Sequence, residues 1–415
     1  MEEQLKLDFN KTIKSLKLSN ENINLREKNL NEFIKKGFPN KRKEDWKFSD
    51  INQIINSNIK KLSFYNDISS SQKINNLIYI NNFKHNKIVF INGLIYKIDL
   101  SYEERSKIEI IKNLNFKEKI DDKNVLVSLN NVFFSNYIKL VVKKNYSFNK
   151  PLVIYNITNK NLNSKAINLR IDVTLEQNSN LKIINLFNDT SKNNFININQ
   201  KFELYEDAIL KNYKIDHKLN SNIKYFFNNI DLDYNSLAET FIFSTGSKFI
   251  KNEINYNLND QYSSAFVNGI INLKDDQHHE IKTKINHLAE NTKSYQLIKS
   301  VLNDNSKGVY QGKIFVTSRA QKTDGYQLSK ALLLNENTEF DAKPELEIYA
   351  DDVKCSHGST SGSLDKNSIF YLMSRGLNHQ EAKKLLINGF LLDVIEKITD
   401  LEVKKLVKNI MQIKE

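Results

Sequence analysis

The chain has 415 residues but one cysteine, three prolines and eleven glycines, and each scarcity removes a class of protein. A single thiol excludes a disulfide framework. So little proline and glycine leaves no flexible low-complexity linker between separate lobes. No apolar run reaches the roughly 18 residues that a membrane-spanning helix requires, so no membrane span is expected. The opening, MEEQLKLDFN, lacks the basic-then-apolar order of an export signal, and a cytoplasmic protein is the expectation. Arginine is scarce too, at 6 of 61 basic residues. The net charge of +12 would otherwise suggest nucleic acid, whose phosphates attract clustered cations. Bidentate phosphate and guanine contacts favour arginine, however, and the lysines are dispersed among Asn and Ile. Nucleic-acid binding is not expected.

Two families of catalytic signature are also missing. No G-x-G-x-x-G follows a strand pattern, and the near miss Gly308 to Lys313 (GVYQGK) has its second glycine too early for a Walker loop. No G-x-S-x-G occurs. Neither a nucleotide site nor a serine hydrolase is expected in this chain, and nothing in the sequence bears on a flavin.

The residues that are present fall into three regions: 1–80, 81–350 and 351–415. In the first, Leu16, Leu18, Ile23, Leu25, Leu30, Phe33 and Ile34 recur at three- and four-residue steps, and Gly37 with Pro39 marks a stop, so helices are predicted to about residue 60. Trp46, the sole tryptophan, reads as an anchor packing this helical region onto the next one. In the second region, short runs of alternating Ile, Val, Leu, Phe and Tyr are separated by Asn-rich turns. A template of apolar, any, apolar, three residues, small, any, variable fits Val173/Leu175/Ser179/Leu181, Phe202/Leu204/Ala208/Leu210 and Ile230/Leu232/Ser236/Ala238. It fits Leu332/Leu334/Thr338/Phe340 loosely. The near-constant step between the first three units predicts a solenoid, whose coils bury a core only by stacking. A large antiparallel sandwich would alternate as well, but without a fixed step.

The third region predicts three helices: one from about Asp365 to Gly376, one starting at Asn378 with Glu381 three residues on, and one starting at Thr399 with Glu402. In the second of these, Ala382, Leu385, Leu386, Gly389 and Phe390 share a face. Such a stripe is ordinarily core, yet a short tail on a solenoid has little core of its own, so partner docking is an equal alternative.

Chemistry concentrates at Cys355 and His357 in EIYADDVKCSHGSTSGSLD. If the segment is extended the two share a side, since positions i and i+2 do. An ordinary thiol is only a few per cent ionised at neutral pH. Lys354 would favour the thiolate, while Asp351 and Asp352 oppose it. A local Cys-His pair suits a cysteine protease poorly, because papain-type enzymes draw the two from distant positions. A structural cysteine beside a turn histidine is one reading and a metal ligand pair another, since thiolate and imidazole both bind iron. With one thiol the chain cannot supply a four-cysteine cluster site, so any cluster would be shared with another subunit. His278, His279 and His287 form a second candidate, weakened because adjacent strand histidines face opposite ways.

The stretch from AQKTDGYQ through FDAKPELEIYADDVKCSHGSTSGSLDKNSIFYLMSRGL, with the earlier block NKRKEDWKFSDI at Asn40 to Ile51, resembles the SufD family of iron-sulfur cluster assembly proteins. DDVKC is of SufD type. The paralogous SufB family carries a histidine-glutamate-alanine type sequence where this chain has His357, Gly358 and Ser359, and carries additional cysteines. Ser361 and Ser363 depart from a stretch that is usually more apolar.

The resemblance implies a right-handed parallel β-helix with helical ends. It also implies a non-enzymatic scaffold role in iron-sulfur cluster assembly and a contribution to iron acquisition. His357, with Cys355, would face SufB at a composite site for a transient cluster or iron. The C-terminal helices, through Leu385, Leu386 and Phe390, would dock the ATPase SufC. The strand Glu345 to Tyr349, with Leu346 and Ile348 inward, is a candidate pairing edge. The alternatives are a carbohydrate-active β-helix, which would want paired carboxylates among aromatics in a secreted chain, and a stand-alone metal-binding protein.

Overall fold

The computed structural model describes residues 2–65, 79–112, 114 and 124–413; residues 66–78 of the expected helical region lie outside the described residues. The N-terminal helices are α1 (Glu2–Ser15), α2 (Asn20–Lys36) and α3 (Ile51–Asn58), with α4 (Val125–Phe133) inserted later. Ser19 caps α2 by accepting from the Asn22 N–H, and Gly37, at φ 67°, returns its N–H to the Phe33 carbonyl, so the predicted stop is present. Arg26 ties the helices together. Its buried guanidinium donates to the Val132 and Phe134 carbonyls at 2.8 and 3.0 Å, at the end of α4 where the helix's own hydrogen-bond ladder stops.

The strands begin with β1 (Asn86–Ile91), β2 (Leu94–Asp99) and β3 (Ile108–Ile111). Next come β4 (Tyr137–Val142), β5 (Leu152–Thr158), β6 (Ala166–Leu175), β7 (Asn180–Asp189), β8 (Phe195–Leu204) and β9 (Ile209–Asp216). After these come β10 (Ile223–Leu232), β11 (Leu237–Ser244), β12 (Phe249–Leu258), β13 (Ser264–Leu273) and β14 (His278–His287). The series closes with β15 (Lys293–Leu302), β16 (Lys307–Val316), β17 (Thr323–Leu333), β18 (Glu339–Ile348) and β19 (Val353–Gly362). Odd strands from β5 onward, with β1 and β2, build one sheet of ten strands, and even strands from β4 onward, with β3, one of nine; all pairs are parallel except where β2 and β3 join antiparallel at the first end. This is a parallel β-solenoid.

The template read from sequence is its register. Val173 pairs with Phe202 and that with Ile230; Leu175, Leu204 and Leu232 pair in turn, and across the turn Leu181, Leu210 and Ala238 align. The small positions Ser179, Ala208 and Ser236 are buried at the turn. Each is preceded by Asn178, Asp207 or Asn235 in the left-handed region at φ 50–58°, where Asn and Asp are tolerated and most residues are not. The fourth unit differs: Leu332 to Phe340 spans the opposite turn, from β17 to β18, and so sits on the other side of the coil from the first three. Both turns reverse the chain between apolar runs with a small residue, so one loose template matches either.

The interior between the sheets is the main apolar core. Outside it, the nine-stranded sheet is covered by the N-terminal helices and α4, and the ten-stranded sheet by α6 (His379–Glu396) and α7 (Leu401–Ile410), which come after the exposed α5 (Lys366–Ser374). Helix α5 begins at the Asp365 cap and α6 at Asn378, where the capping box with Glu381 is present. The last cap shifts by one residue: Asp400, not Thr399, accepts from the Glu402 and Val403 N–H groups, while Thr399 donates to Glu239 at 2.8 Å.

The block Glu44 to Phe48 crosses the outer face of the nine-stranded sheet. Trp46 is buried 5.8 Å from the Tyr225 ring with the Lys251 ammonium 4.3 Å above it, so it is a packing anchor. Asp45 pairs with Lys282 at 2.7 Å, and Glu44 pairs with Lys343 on β18.

Candidate functional site

At the first end of the solenoid both sheets finish in antiparallel strands, whereas at the other end β18 and β19 are bare edges, each paired on one side only. The motif with the lone cysteine is therefore neither a loop nor a turn: it is β19, an edge strand. Its sequence VKCSHGSTSG is small and polar, with no apolar run to seal the edge. On β18, proline 344 occupies the kind of strand where a missing N–H is tolerated.

Register settles which way the motif faces. Gly325, Gln327 and Ser329 of β17 point into the solenoid, and Cys355, His357 and Ser359 are their partners. Cys355 and His357 thus lie on one side, the inward face, at the open mouth. Cys355 is half-buried against Ile314, Val316, Ala320, Leu346 and Ile348. Gly325 makes room for it: a methyl group there would lie 3.3 Å from Sγ. Burial pushes the Cys355 thiol up, the Gly325 N–H works against that, and Asp324 adds to it, which leaves a neutral thiol rather than a ready nucleophile. His357 is exposed. Leu346 and Ile348 contribute to the same small apolar cluster from β18.

The histidines of β14 part company. His278 faces outward and meets Glu280 at 2.9 Å. His279 and His287 face inward at opposite ends of the strand, each with its own hydroxyl partners: Ser244 at 2.9 Å for His279, Thr292 and Ser294 at 2.7 and 2.9 Å for His287. Among the described residues, no group of three or more His, Cys, Asp or Glu could hold a metal ion. The GVYQGK segment is strand β16, where Gly308 packs under Leu302 and Gly312 under Tyr310.

The stripe expected on α6 splits. Ala382 is buried, Leu385 is 51 % exposed and Leu386 is intermediate. Phe390 lies under the Lys299 ammonium at 4.4 Å, and its carbonyl accepts from the same group at 2.6 Å. The face that packs on the solenoid is instead Leu391, Val394 and Ile395. The sequence reading passed over Phe370, Tyr371 and Met373 of α5, which are 74, 57 and 43 % exposed, and which with Leu385, Leu392 and Leu401 are the large apolar side chains the tail leaves exposed; the apolar cluster IFYLM was the available signal. A separate recess of about 460 Å³, between the ten-stranded sheet and the link from α6 to α7, is lined by Tyr295, Tyr326 and Lys397 and touches neither Cys355 nor His357. Among the described residues no helix is long and apolar enough to cross a membrane.

Comparison with known proteins bears on this geometry. The family model described as SUF system FeS cluster assembly, SufBD core domain, matches residues 156–390, from β5 into α6. The iron-sulfur cluster assembly protein SufD of Escherichia coli is 27 % identical over 383 residues, covering 90 % of this chain and 88 % of the relative. Shorter matches include a SufBD family protein of Synechocystis, 46 % identical over 67 residues (16 % of this chain, 15 % of the relative). SufD of Bacillus subtilis is 38 % identical over 81 residues (20 and 18 %).

Proposed function

We propose, from the premise that the chain belongs to the SufBD core family of the SUF iron-sulfur cluster assembly system, that it is a non-enzymatic scaffold subunit of a complex with a SufB-like paralogue and a SufC-like ATPase. The observation that carries this reading is the bare terminal coil, with β19 turning Cys355 and His357 to the mouth. Unpaired strand edges invite a further strand, and a paralogue with the same solenoid would continue both sheets. One thiol and one imidazole are half of the four ligands a cluster takes, so the remainder come from the partner. The nascent cluster, or its iron, is cargo held between the two chains. His357, exposed at the mouth, is the leading iron ligand; Cys355, seated in its apolar cluster, supplements it. The exposed apolar group Phe370, Tyr371, Met373 and Leu385 suits docking of the ATPase, with Leu386 beside it, while Phe390 steadies α6 on the solenoid.

The test is His357→Ala in the assembled complex. Assembly is expected to be unchanged, since a surface substitution shifts stability by no more than about 0.5 kcal/mol. Cluster yield on anaerobic reconstitution, read by absorbance and iron content at matched subunit ratio, should fall by roughly tenfold or more, because even an outer partner of a metal ligand matters that much. Cys355→Ser should have the smaller effect. A normal yield from the His357→Ala complex would make the motif structural and end the composite-site reading.

A further inference from the structure

The interior of the last coils is not apolar throughout. On the inward face of the ten-stranded sheet Gln296, Gln327 and His357 stand one above another on β15, β17 and β19, about 4.8 Å apart by the spacing of paired strands. From the opposite sheet Tyr310 places its hydroxyl 3.2 Å from Oε1 of both glutamines, and Thr283 donates to Gln296 Oε1 at 2.5 Å. Gln327 Nε2 donates to the Glu345 carbonyl at 3.2 Å, so the same amide ties β17 to the bare edge strand β18 of the opposite sheet. Gln296, Tyr310 and Gln327 are all shut off from solvent. A glycine is spent on them, for a Cβ on Gly312 would collide with both Gln327 Oε1 and the Tyr310 hydroxyl.

A buried amide and phenol cost more than apolar side chains of the same shape unless they are fully hydrogen-bonded, so a chain of them leading to one position calls for a reason. The bonding leaves one. Tyr310 has a single phenolic proton to offer two amide oxygens, and each of those oxygens can accept two hydrogen bonds. Gln327 Oε1 therefore keeps acceptor capacity, and the group stacked on Gln327 in the next coil is His357. A histidine that binds a metal through one ring nitrogen characteristically donates the N–H of the other to a carbonyl or carboxylate, which sets the tautomer and the ring's direction.

We propose that Gln327 is the positioning residue of His357: its Oε1 accepts the imidazole N–H and turns the lone pair of the other nitrogen toward the mouth, with Tyr310 and Gly312 holding the amide in place. This rests on His357 being the iron ligand, but its test does not depend on cluster formation. The full-length chain, labelled with nitrogen-15 at histidine, would be studied by NMR, the His357 signals being those that His357→Ala removes. In the native chain one ring nitrogen should be protonated and the other not, in a single tautomer. Gln327→Leu and the closer-shaped Gln327→Met, each checked for a native strand-type circular dichroism spectrum, should average the two nitrogens between tautomers, whereas Gln327→Glu, which keeps an acceptor, should restore an unaveraged pattern. Averaged nitrogens already in the native chain, or the native pattern persisting in the Leu or Met variant, would overturn the proposal. Cluster yield from the His357→Ala complex judges the iron-ligand reading separately: a normal yield beside a Gln327-dependent tautomer would sink that reading and leave the Gln327–His357 contact standing.

Discussion

Lys224→Met is expected to cost roughly 3–5 kcal/mol of stability, the range for removing one partner from a buried ion pair. Lys224 is an inward residue of β10 with its ammonium 2.5 Å from Asp216 and in contact with Asp189, at the ends of β9 and β7, and all three side chains are sealed from solvent. Burial works against the ammonium, but the two carboxylates hold the Lys224 pKa above its usual value. Asp216 is pushed up by burial, with the nearby Asp189 charge reinforcing the effect and Lys224 opposing it. Methionine matches the length of the lysine stem yet leaves two carboxylates in the core with no cation, so one or both must take up protons or admit water. Adding Asp189→Asn and Asp216→Asn to Lys224→Met should recover much of the loss. Urea unfolding of the three proteins gives the comparison; a loss below about 1 kcal/mol in the single variant would mean the carboxylates find other partners.

Acid should unfold the protein in a window set by two histidines. Burial holds His279 and His287 each down at about 3, against an ordinary 6.5. The unfolded chain binds a proton on each as pH drops through 6.5, while the folded chain does not until about 3, so between those values the unfolded state carries the extra protons and stability falls with pH. At pH 5 the loss amounts to about 2 kcal/mol per histidine. His85 and His217 are also lowered by burial and push the same way. Carboxylates held low, such as Asp400 and Glu203, where lysine partners outweigh burial, act only at lower pH, and Asp216, which burial pushes up, works in the opposite sense, so the fall between 6.5 and 5 comes from the imidazoles. Urea midpoints at pH 7.5, 6.5 and 5.5 measure the slope. Stability that stays flat to pH 5 would mean the interior admits protons without opening.

The solenoid was legible because its determinants are local. Val173, Phe202 and Ile230 repeat at a near-constant step, and Asn178, Asp207 and Asn235 mark turns whose backbone few other residues adopt. The shared side of Cys355 and His357 came from strand periodicity alone. The direction they face did not, because it depends on which residues of β17 are inward, a fact set by the packing of the opposite sheet. The α6 stripe was legible only in part for a related reason: Ala382, Leu385, Leu386, Gly389 and Phe390 do share a helical face, but the ten-stranded sheet takes its buried contacts from Leu391, Val394 and Ile395, with Phe390 packed partly buried against them. The buried polar residues were hidden in plain alternation. In IKYFFNNIDL, Lys224 and Asn228 occupy the inward phase with Phe226 and Ile230, where a pattern search for apolar residues passes over them.

The contact of Glu44 with Lys343 joins residues 299 positions apart. In a nascent chain the N-terminal segment emerges first, while coils can stack as they appear because each pairs chiefly with its neighbour. Tyr225 and Lys251, on which Trp46 packs, are made before Lys282, the partner of Asp45, and that before Lys343 of β18, the partner of Glu44. The contacts of the segment thus run along it in the order in which the coils are made. Glu44 can find its lysine only once the bare edge strand β18 exists, so a chain cut short before β18 would stack most of its coils and leave Glu44 without it.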